Sequence, residues 1–334
     1  MEDFLKGFQF KKVKNWTIVD PPKLTERASL YSFSDYAQTF LPPNQNIVIV
    51  NECIDCSVKE IIQLIEYSKK HNAKLILGSE GDHPQKEQIE KLNLYNEFVH
   101  AIEMQIGKIT NPKEVYVPHP WFRMQQGWKK YKKKMTYQNI DKKYISSMRC
   151  KANYYPKMLL YQNLENLDIL NKFMWTCTFK EKSLKSVTPK FFPSEENFNG
   201  VNAELPSLEQ TQSFTHTVIE TGFDYIVSEK IWQAFAFSQP IYWWSINDYY
   251  KIVEKYGFIT EFKGIDTKYL AETNYSTRAE FLALELKKLV DYPDLASELH
   301  KINKDAVQHN YELFFNENAC KQSGIKALQS IIDI

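Results

Sequence analysis

The sequence has no excess of either charge: 42 Lys and Arg stand against 41 Asp and Glu, a net of +1. That balance removes the global electrostatic pull expected of a nucleic-acid or membrane-surface protein, so any such binding has to be local. No stretch approaches the ~20 consecutive apolar residues of a membrane-spanning helix. The opening MEDFLKGFQFKKVKNW mixes acids and lysines with aromatics and lacks an apolar core, so neither a signal peptide nor an anchor is expected there. Five cysteines, an odd number, do not make a disulfide framework, and a reducing cytoplasm is the expected setting. Cys53 and Cys56 form a C-x-x-C with no second pair to complete a zinc site. They read as two small buried or half-buried thiols, with a metal or redox role as the alternative. The chain has no repeat at solenoid period. It also lacks an Asp-x-Asp and offers cations for a diphosphate, so no metal and no cofactor are expected, with the acid pair Glu80 and Asp82 as the alternative holder of a divalent ion.

What is there fits a folded protein of two domains. At 334 residues the chain can bury two ordinary cores, and 43% hydrophobic with 25% charged residues leaves no room for disorder on the scale of a domain. From Asn46 the pattern alternates: an apolar run Ile47 to Val50, an amphipathic stretch Val58 to His71, and a second run Lys74 to Leu77 ending at Gly78. That is a β-α-β unit. A short helix around Gln85 to Leu92 and strands near Glu97 to Ile102 and Glu114 to Val117 complete a small parallel sheet covered by helices. The first 40 residues give no placement.

The polar, basic stretch Trp128 to Asp141 reads as a connector. After it come a strand (Tyr144 to Met148), a helix (Tyr155 to Asn166), a strand (Phe173 to Phe179) and a long polar segment, Lys180 to Gln212, suited to a functional loop. A second β-α-β succession follows: Phe214 to Glu220, Ser228 to Phe237, Pro240 to Trp244 and a helix Asp248 to Tyr256 stopped by Gly257. The tail from Ser276 to Ile332 is helical by period, broken near Pro293 and around Phe315 to Asn318.

The residues able to carry chemistry gather at strand ends. Glu220 closes a strand, and Ser228, Glu229 and Lys230 open the next helix, where unpaired N–H groups favour phosphates. Lys230 adds a full charge, and the two oxygens of Glu229 can accept from both hydroxyls of a ribose; a Glu-Lys pair on a solvated helix start is the alternative. Arg149 and Lys151 follow the strand at 144 to 148 and can reach a diphosphate, unless they are ordinary surface cations. In LGSEGDHP, residues 77 to 84, Glu80 and Asp82 stand among glycines after a strand, as a candidate general base or as solvated acids of a turn. His119, in VPHPWF, reads as structural, with a place near the interdomain cleft as the alternative. The run WKKYKKK, 128 to 134, suits nucleic acid or an anionic lipid if it is not a solvated linker.

Residues 215 to 245 resemble the α-1,3-fucosyltransferase family, whose members carry a strand ending F-E-N, then Y-[VI]-T-E-K opening a helix, then P-[VI]-Y-[WY]-G. The matching stretches are Val218-Ile219-Glu220-Thr221, Tyr225 to Lys230 (YIVSEK) and Pro240-Ile241-Tyr242-Trp243-Trp244. GSEGDHP resembles the family's G-E-N-x-x-P, and YISSMRCKANYYPKMLLYQNL its strand with a cation-bearing loop and helix. YGFITEFKGID and STRAEFLALELKKL are similar to related viral and bacterial sugar transferases. Thr221, Ser228 and Trp244 replace the family's Asn, Thr and Gly, and Tyr225 stands one residue further from Glu229.

The resemblance implies an α/β, GT-B-like fold: two Rossmann-like domains facing a cleft, with C-terminal helices. The expected division is 1–135 on the acceptor side, 136–315 for the nucleotide sugar and 316–334 as a C-terminal helix. It further implies an inverting glycosyltransferase using a nucleoside-diphosphate sugar, GDP-fucose in that family, and a glycan or other hydroxyl acceptor. Glu80 or Asp82 would be the catalytic base, with Arg149, Lys151, Glu220, Tyr225, Ser228, Glu229 and Lys230 around the donor. The competing expectations are a nucleic-acid-binding protein or DNA-base glycosyltransferase using 128 to 134, and a non-catalytic module on a transferase fold.

Overall fold

The computed structural model describes residues 5, 7–22, 33–40, 44–51, 53, 56–79, 85–102, 113–135, 142–149, 155–176, 208–220, 229–245 and 247–332, with the backbone alone for Arg149, Tyr155, Pro156, Thr176, Glu209, Glu229, 247–249 and 329–332. The chain is α/β and divides into two compact units, Met1–Arg123 with Asn318–Ile334, and Met124–Glu317. Among the described residues no helix is long and apolar enough to cross a membrane.

The first unit contains β1 (Gln9–Val13), β2 (Trp16–Asp20), α1 (Phe33–Phe40), β3 (Ile47–Val50), α2 (Val58–Lys70), β4 (Lys74–Ser79), α3 (Lys86–Lys91), β5 (Val99–Ile102), β6 (Glu114–Tyr116) and the start of α4 (His119–Trp128). Its sheet runs in chain order, β1 to β6, and β2 to β6 are parallel. The strands expected from Ile47 onward are parallel, and β1, among the first 40 residues that had no placement, pairs antiparallel with β2 at one edge. β1 carries Lys11 and Lys12 and is mostly exposed, so it has no apolar alternation to announce it, and charge there also discourages further pairing at the edge.

Why α2 forms where it does is visible in its first turn. The Ser57 hydroxyl accepts from the Glu60 amide, and the Glu60 carboxylate accepts from the Ser57 amide at 2.6 Å, a reciprocal capping box. Ile61, Leu64 and Ile65 then meet Val48, Val50, Leu75 and Leu77 on one face of the sheet, a cluster that also takes in Cys53 and Cys56. On the other face α1 lies close, because Gly78 has no side chain: a Cβ there would stand 2.4 Å from the ring of Phe33.

The second unit contains α5 (Lys132–Met135), β7 (Tyr144–Arg149), α6 (Tyr155–Asn166), β8 (Met174–Thr176), β9 (Ser213–Ile219), α7 (Glu229–Ala236), β10 (Ile241–Trp244), α8 (Tyr275–Asp291), α9 (Pro293–Ile302) and α10 (Lys304–Phe314). α11 (Glu317–Ile332) follows α10 and groups from Asn318 onward with the first unit. All four strands are parallel, in the order β8-β7-β9-β10. The chain steps outward from β7 to β8 and returns past β7 to β9, so the direction of winding reverses between β7 and β9. Right-handed crossovers then put α6 and α7 on opposite faces, α6 packing on α8 and α7 on α10.

Three expectations for this unit are corrected. The stretch after Trp128 is not a bare connector. The Trp128 ring is fully buried, 5.9 Å from that of Phe237 and 6.1 Å from that of Phe314, and Tyr311 donates to the Lys132 carbonyl at 2.7 Å. Its lysines alone point outward, which is why composition suggested a linker. The segment Asn247–Tyr256 is a 3₁₀ helix. Tyr250 and Val253 are buried three residues apart, matching three residues per turn, and Tyr250 stacks on Trp243 at 4.5 Å. The third is a further break at Asn303, between α9 and α10. Its side chain accepts from Lys263 N at 2.7 Å and donates to Lys263 O at 2.8 Å, and Asn310 clamps Ile259 in the same way at 2.8 and 2.7 Å. Beyond β10, the Tyr269 hydroxyl donates to the Trp243 carbonyl at 2.7 Å and accepts from its amide at 3.2 Å.

Two stability tests follow from this packing. Gly78→Ala is expected to cost about 1–3 kcal/mol by overpacking against Phe33. Urea unfolding should show the loss and its recovery with Phe33→Leu; an unshifted midpoint refutes the close approach. His300 is buried, and burial lowers its pKa to about 4 against the opposing bond to the Ser238 carbonyl. The folded state therefore keeps it neutral while the unfolded chain takes a proton below about pH 6.5. Stability should fall by about 3 kcal/mol as pH drops from neutral to 4, and His300→Gln should remove that part of the slope. Superimposable pH profiles for the two proteins would contradict the assignment.

Candidate functional site

Open α/β sheets take ligands outside the carboxyl ends of their strands where the winding reverses, because the chains leaving neighbouring strands part to opposite faces there. In the second unit that place is the carboxyl end of β7 and β9. Arg149 is the last residue of β7, Glu220 directly follows β9, and α7 opens at Glu229 and Lys230. Topology thus brings Arg149, Glu220, Glu229 and Lys230 to one sheet edge. Lys151, Tyr225 and Ser228 lie outside the described residues, as do Glu80 and Asp82.

The same edge holds a residue that the sequence reading missed. Lys157, in the first turn of α6, is only 1% exposed. With Leu160, Tyr161 and Leu164 it forms a buried stripe at helical spacing, its first position taken by a cation. That intrusion of charge into an apolar stripe was the available signal. An ammonium tolerates such burial only with compensating partners. Glu220, at 2% exposure, is as deeply covered, and its amide donates to the Trp244 carbonyl at 3.2 Å.

Beneath this edge β7 and β9 are joined by polar side chains. The hydroxyls of Ser146 and Thr217 lie 2.8 Å apart, Ser147 and His216 Nδ1 2.7 Å, and Thr215 donates to the Ile145 carbonyl at 2.9 Å. These groups satisfy one another and brace the strands. Arg278 of α8, also missed, ties Nη1 to the Ser245 carbonyl at 2.8 Å, just past β10, and Nε to the Glu272 carbonyl at 2.7 Å. No protein-family model, curated protein or solved structure matches the chain.

In the first unit, Ser79 ends β4 immediately before Glu80. Its hydroxyl lies 2.7 Å from His100 Nε2, and His100 Nδ1 faces Glu114 Oε1 across 3.7 Å. Glu114 is 3% exposed and also receives Lys86 Nζ at 2.9 Å and the Tyr95 hydroxyl at 3.2 Å. Burial pushes its pKa up, but His100 and Lys86 outweigh that and hold the carboxyl below its usual value. His119 is buried among aromatics, its ring 5.2 Å from that of Tyr36. Of the basic run, Lys129 pairs with Glu317 and Lys132 sits over the rings of Tyr311 and Phe315 at 5.9 and 5.5 Å. Part of its charge is therefore engaged within the second unit, to which all of these residues belong.

If the β7/β9 edge receives phosphates, inorganic pyrophosphate should raise the melting temperature of the wild-type protein, since a ligand of the native state stabilises it. Thermal melts of Lys157→Met should show the rise reduced or lost. An equal shift in both proteins removes Lys157 from the site.

Proposed function

We propose that the chain is an inverting glycosyltransferase with a GT-B-like fold that takes a sugar from a nucleoside-diphosphate donor and passes it to a hydroxyl acceptor. The observation that carries the reading is the reversal of strand order at β7/β9. At this edge a buried lysine, a buried glutamate and the opening of α7 come together. Cations and a helix start suit a diphosphate, and a carboxylate beside them suits the hydroxyls of a ribose. The resemblance of residues 215 to 245 to the fucosyltransferases supplies the reaction class, with GDP-fucose as the first donor to try.

In this reading a carboxylate of Glu80 or Asp82 takes the acceptor's hydroxyl proton. The oxygen forms its bond to the anomeric carbon as the bond from that carbon to the diphosphate oxygen breaks, and the nucleoside diphosphate leaves with the electron pair. Lys157, Lys230 and Arg149 stabilise the growing charge on the leaving group, the step where preorganised electrostatics contributes most. With those cations present and no Asp-x-Asp in the sequence, the reading assigns no divalent ion to the diphosphate.

The test separates binding from chemistry. Calorimetry with GDP and UDP in EDTA should show Lys230→Ala weakening the preferred diphosphate by about 1.5–3 kcal/mol, the worth of a charge-assisted contact. Glu80→Gln should keep donor affinity and lower transfer by about 10²–10⁴, with Asp82→Asn milder. Unchanged affinity in Lys230→Ala sinks the donor placement. A collapse confined to Asp82→Asn moves the base two residues along.

A further inference from the structure

We propose that Arg278 and Ser245 form an oxyanion subsite at the carboxyl end of β10 that takes a phosphate group of the ligand bound at the β7/β9 edge; it deepens the sugar-donor reading and rests on that reading's placement of phosphates. Ser245 directly follows β10. Trp244 pairs with Ile219, and the Glu220 amide donates to the Trp244 carbonyl at 3.2 Å, so Ser245 and Glu220 leave the sheet side by side. α8 starts at the same edge, because Arg278, in its first turn, donates from Nη1 to the Ser245 carbonyl at 2.8 Å. α6, whose first turn carries Lys157, packs on α8. Two cations, Lys157 at 1% exposure and Arg278 at 2%, are thus buried in the first turns of two packed helices at this edge.

The guanidinium is held in place without being neutralised. Nε donates to the Glu272 carbonyl at 2.7 Å, Nη2 donates to the same oxygen, and the guanidinium carbon lies 5.6 Å from the centre of the Tyr275 ring. Its hydrogen bonds thus go to two backbone carbonyls, and among the described residues no carboxylate pairs with it. The Glu272 carboxylate is turned to the backbone instead, where it accepts from the Asn274 amide at 2.8 Å, and Asn274 caps α8 by accepting from Ser276 N at 2.9 Å and Thr277 N at 3.2 Å. A guanidinium has five N–H donors, so these bonds leave one N–H on each terminal nitrogen. Burying a cation among neutral groups is costly, and an oxyanion beside it offsets that cost. The Ser245 hydroxyl is a second, independent observation: it is buried, and among the described residues no group bonds to it. Such a hydroxyl costs stability and braces nothing. It belongs to the residue whose carbonyl the guanidinium binds, and a hydroxyl with guanidinium N–H groups beside it is the donor set a phosphate oxygen accepts from.

The experiment takes the full chain as wild type, Ser245→Ala and Arg278→Lys. It measures calorimetric affinity for inorganic pyrophosphate and for GDP at constant ionic strength, and melting temperatures in phosphate-free buffer. Ser245→Ala keeps the carbonyl that Arg278 binds, so without ligand it should melt at or above the wild-type temperature while binding pyrophosphate about 10-fold more weakly. Arg278→Lys keeps the charge and loses the planar fork, and should weaken pyrophosphate by about 10–100-fold. A Ser245→Ala chain that melts below wild type without ligand gives the hydroxyl a structural task and overturns the proposal. So does pyrophosphate affinity equal to wild type in Ser245→Ala, whatever Arg278→Lys does to folding. A wild-type chain that binds neither pyrophosphate nor GDP overturns the sugar-donor reading and this inference together. Wild-type binding that Lys157→Met weakens and Ser245→Ala leaves intact overturns this inference alone. Weaker pyrophosphate binding in Ser245→Ala, from a wild-type chain that transfers no sugar, upholds the subsite and overturns the transfer reaction.

Discussion

The second unit depends on the parallel pairing of β7 with β9, partners about 70 residues apart in the chain, as the Ser146–Thr217 contact spans 71 positions and Ser147–His216 69. Closing so long a loop is costly in entropy, although the cost grows only slowly with length. The cross-strand bonds of Ser146, Ser147, Thr215, His216 and Thr217 add side-chain ties to the backbone ladder where β9 joins β7. Once β9 occupies that place, β8 is confined to the far side of β7 and β10 to the far side of β9. The reversal of winding, and with it the edge where Lys157 and Glu220 are buried, follows from this one pairing.

Much of the fold was legible because local pattern and tertiary environment agree. Ile47 to Val50 is a run of β-branched residues buried on both faces, and α2 pairs a capping signal with an apolar stripe. The β1–β2 hairpin was not legible, since an exposed edge strand bearing lysines has no alternation to detect. Asn303 was missed for a different reason: its interruption of the helical tail is set by a clamp on Lys263, 40 residues away, which no window along the chain can contain. The connector reading of 128 to 141 missed the packing at its start because five of the seven residues 128 to 134 are exposed lysines that outvote Trp128, although the tryptophan decides where the segment packs.

The candidate site divides in the same way. Glu220, Arg149, Glu229 and Lys230 were found because they fall at strand ends and a helix start, which periodicity locates to within a residue or two. Lys157 escaped because it sits inside a helix, where a single lysine is usually a solvated residue and its burial depends on what packs over α6. Ser79, His100 and Glu114 belong to three strands, and their convergence requires the register that sets Leu77 opposite His100 and His100 opposite Glu114.

The hydroxyl of Tyr269 has a consequence for association. Among the described residues β10 is the outermost strand of its sheet, and the amide and carbonyl of Trp243, directed away from β9, are the groups another strand would use for pairing. With both engaged by one phenol, and with the Trp243 ring stacked on Tyr250 and its indole N–H donated to the Thr260 carbonyl at 3.0 Å, a strand approaching from that side finds neither donor nor acceptor at Trp243. A single tyrosine therefore guards the middle of this edge against strand addition, a protection that charge or proline provides on many other edge strands.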